Sequence, residues 1–322
     1  MEKITVPRQL SIPVTDVEGT FDKLSKKGSL FTLTDNPGDI NIAVGHVQGI
    51  AYYPHPIQEE AYYILSHSGS DGKGLIMCME AISKRWFNFR CGGAAKEDMD
   101  EHPGGIQIIG DYLVVPVEKY RDKGKIVDSK VRLYSLLKMG LGENGGIEAK
   151  LANPCLVNRP GRSAGAAAIV SVPPGTAGAV THILAVYDQA VVDFYTAKST
   201  GALEDAAFVP KATSTIETEG AYNSISLLLG ENNKIYLIGL KTTKSKEYAD
   251  LYEVDASLPE VKPMTLIRRD CRFFATRGAI KGPLGTSFRW GSGIYQLGDG
   301  KFGLYATQRN FVDRLLAANT FG

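Results

Sequence analysis

Five weakly similar segments recur along the chain, and this repetition constrains the fold more than any other feature. Their anchors are His46-Val-Gln-Gly49-Ile50, His102-Pro-Gly-Gly105-Ile106, Arg162-Ser-Ala-Gly165-Ala166, Ala221-Tyr-Asn-Ser224-Ile225 and Trp290-Gly-Ser-Gly293-Ile294. Measured between the small residues, the intervals are 56, 60, 59 and 69 residues. Each anchor leads into a short apolar run, then a turn, then a second run rich in aromatic and β-branched residues, such as Tyr62-Tyr-Ile-Leu, Tyr112-Leu-Val-Val and Lys234-Ile-Tyr-Leu-Ile. The turns Gly110-Asp111, Gly230-Glu-Asn-Asn233 and Gly298-Asp-Gly300 carry hairpin chemistry, because Gly and Asn accept positive φ at low cost. A third run follows in several units, at Val131, Val192, Ala249 and Val312, with a period of two that turns one face inward. No stretch of about 12 residues with i, i+3, i+4 apolar spacing competes with these strands.

Repeating units near 60 residues, each with room for about four antiparallel strands, predict an all-β chain. Punctuation by 35 Gly and 15 Pro favours a β-propeller over a sandwich, since radial blades leave few exposed edges. Only 29 residues follow Gly293, too few for a complete blade, while some 45 precede the first anchor. The expectation is five four-stranded blades in one domain over residues 1–322. A strand from the N-terminal region, Ser29 to Thr34 or Asp39 to Val44, completes the last blade. Six blades would follow if that region and the stretch from Arg268 to Thr276 build more.

From about Gly45 to the C-terminus the chain therefore resembles β-propeller proteins in architecture. The WD dipeptide, the kelch double glycine with its aromatics and the YWTD signature are all missing, so the resemblance implies a fold and no activity. The units differ too much from one another for a lectin that repeats one sugar pocket in every blade.

Composition removes several classes of function. With 36 Lys+Arg against 35 Asp+Glu, the chain lacks the basic excess of a nucleic-acid-binding surface. Its longest small-apolar run, 163–172, meets Pro173-Pro174 and falls far short of the roughly 20 residues of a membrane-spanning helix. No partner nucleic acid or membrane is expected. The N-terminal segment shows no secretory pattern, and a cytoplasmic location is the expectation. Cys78, Cys91, Cys155 and Cys271 show no zinc-site spacing and read as free thiols, with a Cys78–Cys91 bridge as the alternative.

In a propeller the inner strands all start at one mouth of the central channel, so residues near those starts should converge there. Three positions before the small residue of each anchor stand His46, His102, Arg162, Ala221 and Trp290, and their neighbours add Gln48, Gln107, Tyr222, Asn223 and Arg289. This set predicts a polar pocket for a small polar or anionic molecule. His46, His102, Arg162 and Tyr222 are the candidate catalytic residues. Gln48, Gln107, Asn223, Arg289, Trp290 and Glu219 are the candidate ligand contacts.

Each position also has a plain structural reading. A histidine can cap a turn, an arginine can pair with a carboxylate, Trp290 can plug the channel and the glutamines can satisfy backbone groups. Gly49, Gly105 and Gly165 fit tight packing of inner strands around the channel.

Three chemistries fit the residue types. A divalent metal could take His46, His102 and one of Gln48, Gln107 or Glu219. Metal-free acid–base work of a lyase, isomerase or cyclase could use a histidine with Arg162 or Arg289 holding negative charge. Glycoside hydrolysis, suggested by Glu217-Thr-Glu219-Gly220, lacks an evident second carboxylate. A binding scaffold working through its rim loops is the non-enzymatic alternative.

Two motif matches lack their context. Gly161-Arg-Ser163-Ala-Gly165 precedes a strand where a nucleophile elbow needs a helix, and no helix follows Gly140-Leu-Gly142-Glu-Asn-Gly145. The charged runs 96–101, 118–125 and 241–247 read as solvated loops. The run 85–90 reads as an outer strand with one apolar face.

Overall fold

A computed structural model of the chain describes residues 11–34, 45–69, 74–92, 102–121, 125–137, 139, 150–173, 179–200, 202–217, 219–231, 233–256, 264–278, 285–297, 299–312 and 314–322. The chain enters through a short helix, α1 (Val17–Lys23), whose N-terminus is capped by Asp16 Oδ1 accepting from Gly19 N at 2.9 Å. At 7 residues it is too short for a helical period to stand out in the sequence. An edge strand, β1 (Ser29–Leu33), follows.

Blade 1 comprises β2 (His46–Pro54), β3 (Ala61–Ser68), β4 (Gly74–Glu80) and β5 (Trp86–Arg90). Blade 2 comprises the short β6 (His102–Pro103) and β7 (Gln107–Ile109), both paired with β8 (Tyr112–Arg121), then β9 (Lys125–Ser135) and β10 (Lys150–Pro160). Blade 3 is β11 (Ala166–Val172), β12 (Val180–Asp188), β13 (Val191–Ser199) and β14 (Val209–Thr215). Blade 4 is β15 (Ser224–Leu229), β16 (Ile235–Thr243), β17 (Lys246–Asp255) and β18 (Thr265–Phe274). Blade 5 is β19 (Ser287–Gln296), β20 (Phe302–Thr307) and β21 (Leu316–Phe321), with β1 hydrogen-bonded antiparallel to β21 as its outer strand.

This is a five-bladed all-β propeller closed by an N-terminal strand, the first of the two blade counts expected from the repeat. The closing strand is the Ser29 segment; residues 39–44 lie outside the described residues. The stretch from Arg268 to Thr276 supplies the outer strand of blade 4, and no sixth blade stands among the described residues. The third strand of the last blade is Leu316–Phe321, because Val312 and Leu315 close a tight turn on each other. Gly110 (φ 55°) and Asn233 (φ 60°) occupy the predicted hairpin turns in the left-handed region.

Five hydrophobic clusters fill the seams between neighbouring blades, because each sheet must bury both faces. The cluster between blades 4 and 5 also receives Val17 and Phe21, which explains the helix: its apolar side covers that seam. The anchor residues line the ring itself. Ser292 and Gly49 form a parallel bridge between blades 5 and 1, and Gly105 bridges Ala166 between blades 2 and 3. A Cβ on Gly105 would stand 2.7 Å from the carbonyl oxygen of Asn223. Crowding of the inner strands around one axis thus accounts for Gly49, Gly105 and Gly293, whereas a Cβ on Gly165 would meet only the Tyr187 carbonyl oxygen, at 3.9 Å, so the packing expectation does not hold there.

Two charged runs are not solvated loops. Glu118 lies within β8, and Lys241 and Glu247 lie on the β16–β17 hairpin; all three side chains are buried. The run 96–101 lies outside the described residues, as does the glycine-rich run 140–145. Residues 86–90 form the outer strand of blade 1, as expected. All four cysteines are free, which sets aside the Cys78–Cys91 bridge.

Candidate functional site at one mouth of the channel

The starts of the inner strands bring His46, Gln48 and His102 into direct contact, although 54 residues separate Gln48 from His102. Gln48 sits two residues into β2 and is almost completely buried. Its amide nitrogen is 2.8 Å from Nε2 of His102 and also hydrogen-bonded to Nε2 of His46. An amide NH2 only donates, so both Nε2 atoms act as acceptors and each ring carries its proton on Nδ1. The partners on the far side agree. Nδ1 of His46 is 3.0 Å from Ser68 Oγ, and Nδ1 of His102 is 3.6 Å from Glu118 Oε2.

Glu118 is 4% exposed and is the anchor of this chain of contacts. It accepts from Tyr120 Oη at 2.6 Å, from the backbone N–H of Ala164 at 2.9 Å and from Ser163 Oγ. Burial by itself would raise its pKa, but His102 and these donors outweigh it and bring it down to about 2. His46 is held at about 4, first by burial and then by the charges of His102, His67, Arg309 and Arg289. It is therefore neutral near pH 7.

Trp290 forms the next wall. Its ring lies edge-on to His46 at 5.6 Å, and the guanidiniums of Arg289 and Arg309 stand 5.1 and 5.3 Å from the indole centroid. With 9% of its surface exposed, Trp290 works as a plug and not as an open stacking platform. Beside it opens a cleft of about 790 Å³ between blades 4 and 5, bounded by Asn223, Lys244, Glu247, Arg277, Arg289 and Trp290. Thr242, Ser245, Thr276, Thr286 and Ser287 add hydroxyls to its walls. Arg277, Arg289 and Arg309 have no carboxylate within ion-pair distance among the described residues, unlike Arg159, Arg162, Arg268 and Arg269.

Six of the ten residues singled out from the sequence meet here: His46, Gln48, His102, Asn223, Arg289 and Trp290. Four do not. Arg162 turns to the carboxylates of blade 3, with Nη2 2.6 Å from Asp193 Oδ2 and Nε 3.5 Å from Asp188 Oδ2. Tyr222 is buried within blade 4, where it donates to Asp250 Oδ2 at 2.6 Å, beside Tyr252 and Lys241; burial and this network raise its pKa far above the phenol range. Gln107 satisfies backbone groups across three inner strands. Its Oε1 accepts from Ile169 N and Leu227 N at 3.1 Å, and its Nε2 donates to Leu227 O at 2.9 Å. Glu219 is exposed on the rim and paired with Lys244 at 2.7 Å. The loss of Arg162 and Tyr222 has one cause: a side chain at the mouth turns away when buried carboxylates outside it offer a stronger partner.

Sequence reasoning missed Glu118, Ser68, Glu247 and Arg309. Glu118 and Glu247 stand in charged runs whose periodicity of two, with alternate residues inward, was their only signal. For the metal reading, no group of three or more His, Cys, Asp or Glu is placed to hold an ion among the described residues. The Gln48 amide nitrogen occupies the point on which the two Nε2 atoms converge.

No protein-family model matches the chain, and no curated protein matches it. Solved structures similar to it include MPT-4, a mannose phosphorylase from Leishmania mexicana in complex with phosphate ion, at 12% identity over 94% of this chain and 91% of that one, with a TM-score of 0.47. A GH43_1 enzyme from Xanthomonas citri complexed with xylose shows 10% identity over 89% and 90% of the two chains, with a TM-score of 0.44. An α-L-arabinanase from Penicillium chrysogenum complexed with arabinobiose shows 8% identity over 91% and 97%, with a TM-score of 0.39. Likeness at this level says nothing of what the present chain binds.

Proposed function

We propose that the mouth and the cleft beside it bind a small anionic molecule bearing hydroxyl groups, and that the histidine pair serves proton transfer on it. The observation that carries this reading is the set of three guanidiniums, Arg277, Arg289 and Arg309, gathered at one rim without carboxylate partners among the described residues. Elsewhere Arg159 and Arg162 are matched by Asp193, Arg268 by Asp250 and Arg269 by Glu253, while Arg272 spends its guanidinium on the backbone oxygens of Phe21 and Leu24. Unmatched cations beside a cavity lined with hydroxyls favour a ligand that supplies the missing charge.

The proton-transfer part rests on His46. A neutral imidazole whose Nδ1–H is held by Ser68 has its Nε2 lone pair toward the mouth, and it becomes a base when the Gln48 amide moves off it. Lyase and isomerase reactions of carboxylated or phosphorylated substrates use such a base with cations that hold the developing charge.

The test is a thermal-shift titration of the protein and its Arg289→Met and His46→Ala variants with inorganic phosphate, citrate, xylose and zinc chloride. A site filled to about 100 times its Kd adds roughly 2.7 kcal/mol of native-state stability, enough to move the midpoint by several degrees. The expected result is stabilisation of the parent by phosphate or citrate, and its loss in Arg289→Met. Stabilisation by zinc alone, abolished in His46→Ala, would overturn the anion reading in favour of a metal centre. No shift with any of the four would return the protein to the scaffold class.

A further inference from the structure

The cleft holds one feature that simple anion binding leaves unexplained: a buried carboxyl group in its wall. Glu247, near the start of β17, is 6% exposed and lines the cavity together with Lys244, Arg277 and Arg289. It forms no ion pair with any of these cations among the described residues. Its Oε2 instead accepts from Thr242 Oγ1 at 2.7 Å and from the backbone N–H of Phe288 at 2.7 Å. Thr242 Oγ1 in turn lies 2.9 Å from Ser287 Oγ. The carboxyl is thus fixed by neutral donors from both blades and faces the space an anion would fill.

Resting on the anion reading above, we infer that Glu247 makes the cleft selective for oxyanions that carry a proton, such as hydrogen phosphate or the monoanion of a phosphate monoester. An ionised carboxylate and a fully ionised oxyanion repel at contact distance and have no hydrogen to share. A protonated oxyanion places its O–H on the carboxylate and becomes a donor to Glu247, while its other oxygens accept from Arg277, Arg289 and the hydroxyls. Sulfate has no such proton near neutral pH, so it binds only when Glu247 is itself protonated. Burial raises the pKa of Glu247, against the hydrogen bonds from Thr242, Phe288 and Ser287, which brings that protonation nearer to neutrality without removing its cost. The charged groups around the carboxyl are Lys244 on its own hairpin, Arg277 from the segment after β18 and Arg289 on β19. Lys244 is already matched by Glu219.

The experiment is isothermal titration of inorganic phosphate and of sulfate at pH 7.5, at constant ionic strength, into the parent, Glu247→Gln and Arg289→Met proteins. Glutamine keeps an acceptor oxygen for Thr242 and Phe288, cannot ionise, and can donate through its amide. The parent should bind phosphate at least about tenfold more tightly than sulfate, a difference of about 1.4 kcal/mol. Glu247→Gln should bind sulfate at least as well as phosphate, and Arg289→Met should lose both. An unchanged melting midpoint of Glu247→Gln without anion certifies its fold; if it is lowered, Thr242→Val, which removes a donor that stabilises the ionised carboxylate, should raise sulfate binding instead. Equal affinity for the two anions in the parent, or a preference for phosphate that survives in Glu247→Gln, would overturn this inference and leave the anion reading standing. Binding of neither anion would overturn both.

Discussion

Gln48 and His102 meet across the first seam of the propeller, with the amide nitrogen of one 2.8 Å from Nε2 of the other. The same nitrogen also reaches Nε2 of His46, so a single buried side chain joins the imidazoles of two blades. Both rings are thereby fixed as the tautomer protonated on Nδ1. Replacing Gln48 by Leu removes both donors at once and leaves two ring nitrogens to find water. A loss of about 1–3 kcal/mol of stability is expected. Urea unfolding measures the loss, and long-range proton–nitrogen NMR of the histidine rings should show the Nδ1–H form in the parent and exchange between tautomers in Gln48→Leu. A parent in which either ring carries its proton on Nε2 would contradict the arrangement.

Glu118 joins the His102 side of this chain to the segment entering blade 3, through Ser163 and the N–H of Ala164. Glu118→Gln keeps the size but loses the charge that those donors and His102 address. Because hydrogen bonds to a charged group contribute about 1.5–3 kcal/mol, a destabilisation of that order is expected at pH 7, shrinking toward pH 2. Paired urea titrations at pH 7 and pH 3 read the difference. An equal loss at both would show that shape, not charge, sets the effect.

Acid should weaken the fold in two successive windows. His46, His67 and His182 each have folded pKa values of about 4 against 6.5 unfolded, with burial the leading cause. Between pH 6.5 and 4 the unfolded chain takes up protons that the folded chain refuses, so stability falls as pH falls. Glu118, at about 2 against 4.5, adds a second loss between pH 4.5 and 2. Glu247, raised by burial, works in the opposite direction. Net proton uptake on unfolding near pH 5 should be between about one and three, read from the pH dependence of the melting midpoint. A midpoint constant from pH 7 to 4.5 would rule out neutral burial of these rings.

Gly105→Ala tests the crowding of the ring. A methyl group there would meet the Asn223 carbonyl oxygen at 2.7 Å and Ser224 Cα at 2.9 Å, and both are backbone atoms of another inner strand. Overpacking costs about 1–3 kcal/mol when neighbours cannot yield. A melting midpoint within about a degree of the parent would show that the inner strands have room to move apart.

The period near 60, the hairpin turns and the short last unit are local properties of the chain, and by themselves they determine an all-β propeller closed by an N-terminal strand and favour five blades, with the place of the stretch from Arg268 to Thr276 settled by the tertiary structure. Strand alternation and turn chemistry act over a few residues, so they are written in the sequence where they act. They also placed six candidate residues at one mouth, since inner strands of a propeller start together.

Only the tertiary structure decided which N-terminal segment closes the ring and what the side chains at the mouth face. Arg162 and Tyr222 stand at the right positions in the repeat, yet Asp188 and Asp193 hold the exposed Arg162 in ion pairs and Asp250 draws Tyr222 into a buried network. Glu118 and Glu247 read as solvated charges, yet each is enclosed by groups from the next blade: Ala164 is 46 residues from Glu118, and Phe288 is 41 residues from Glu247. A polar side chain takes the strongest partner within reach, and reach is set by how the blades pack, which no local pattern in the sequence encodes.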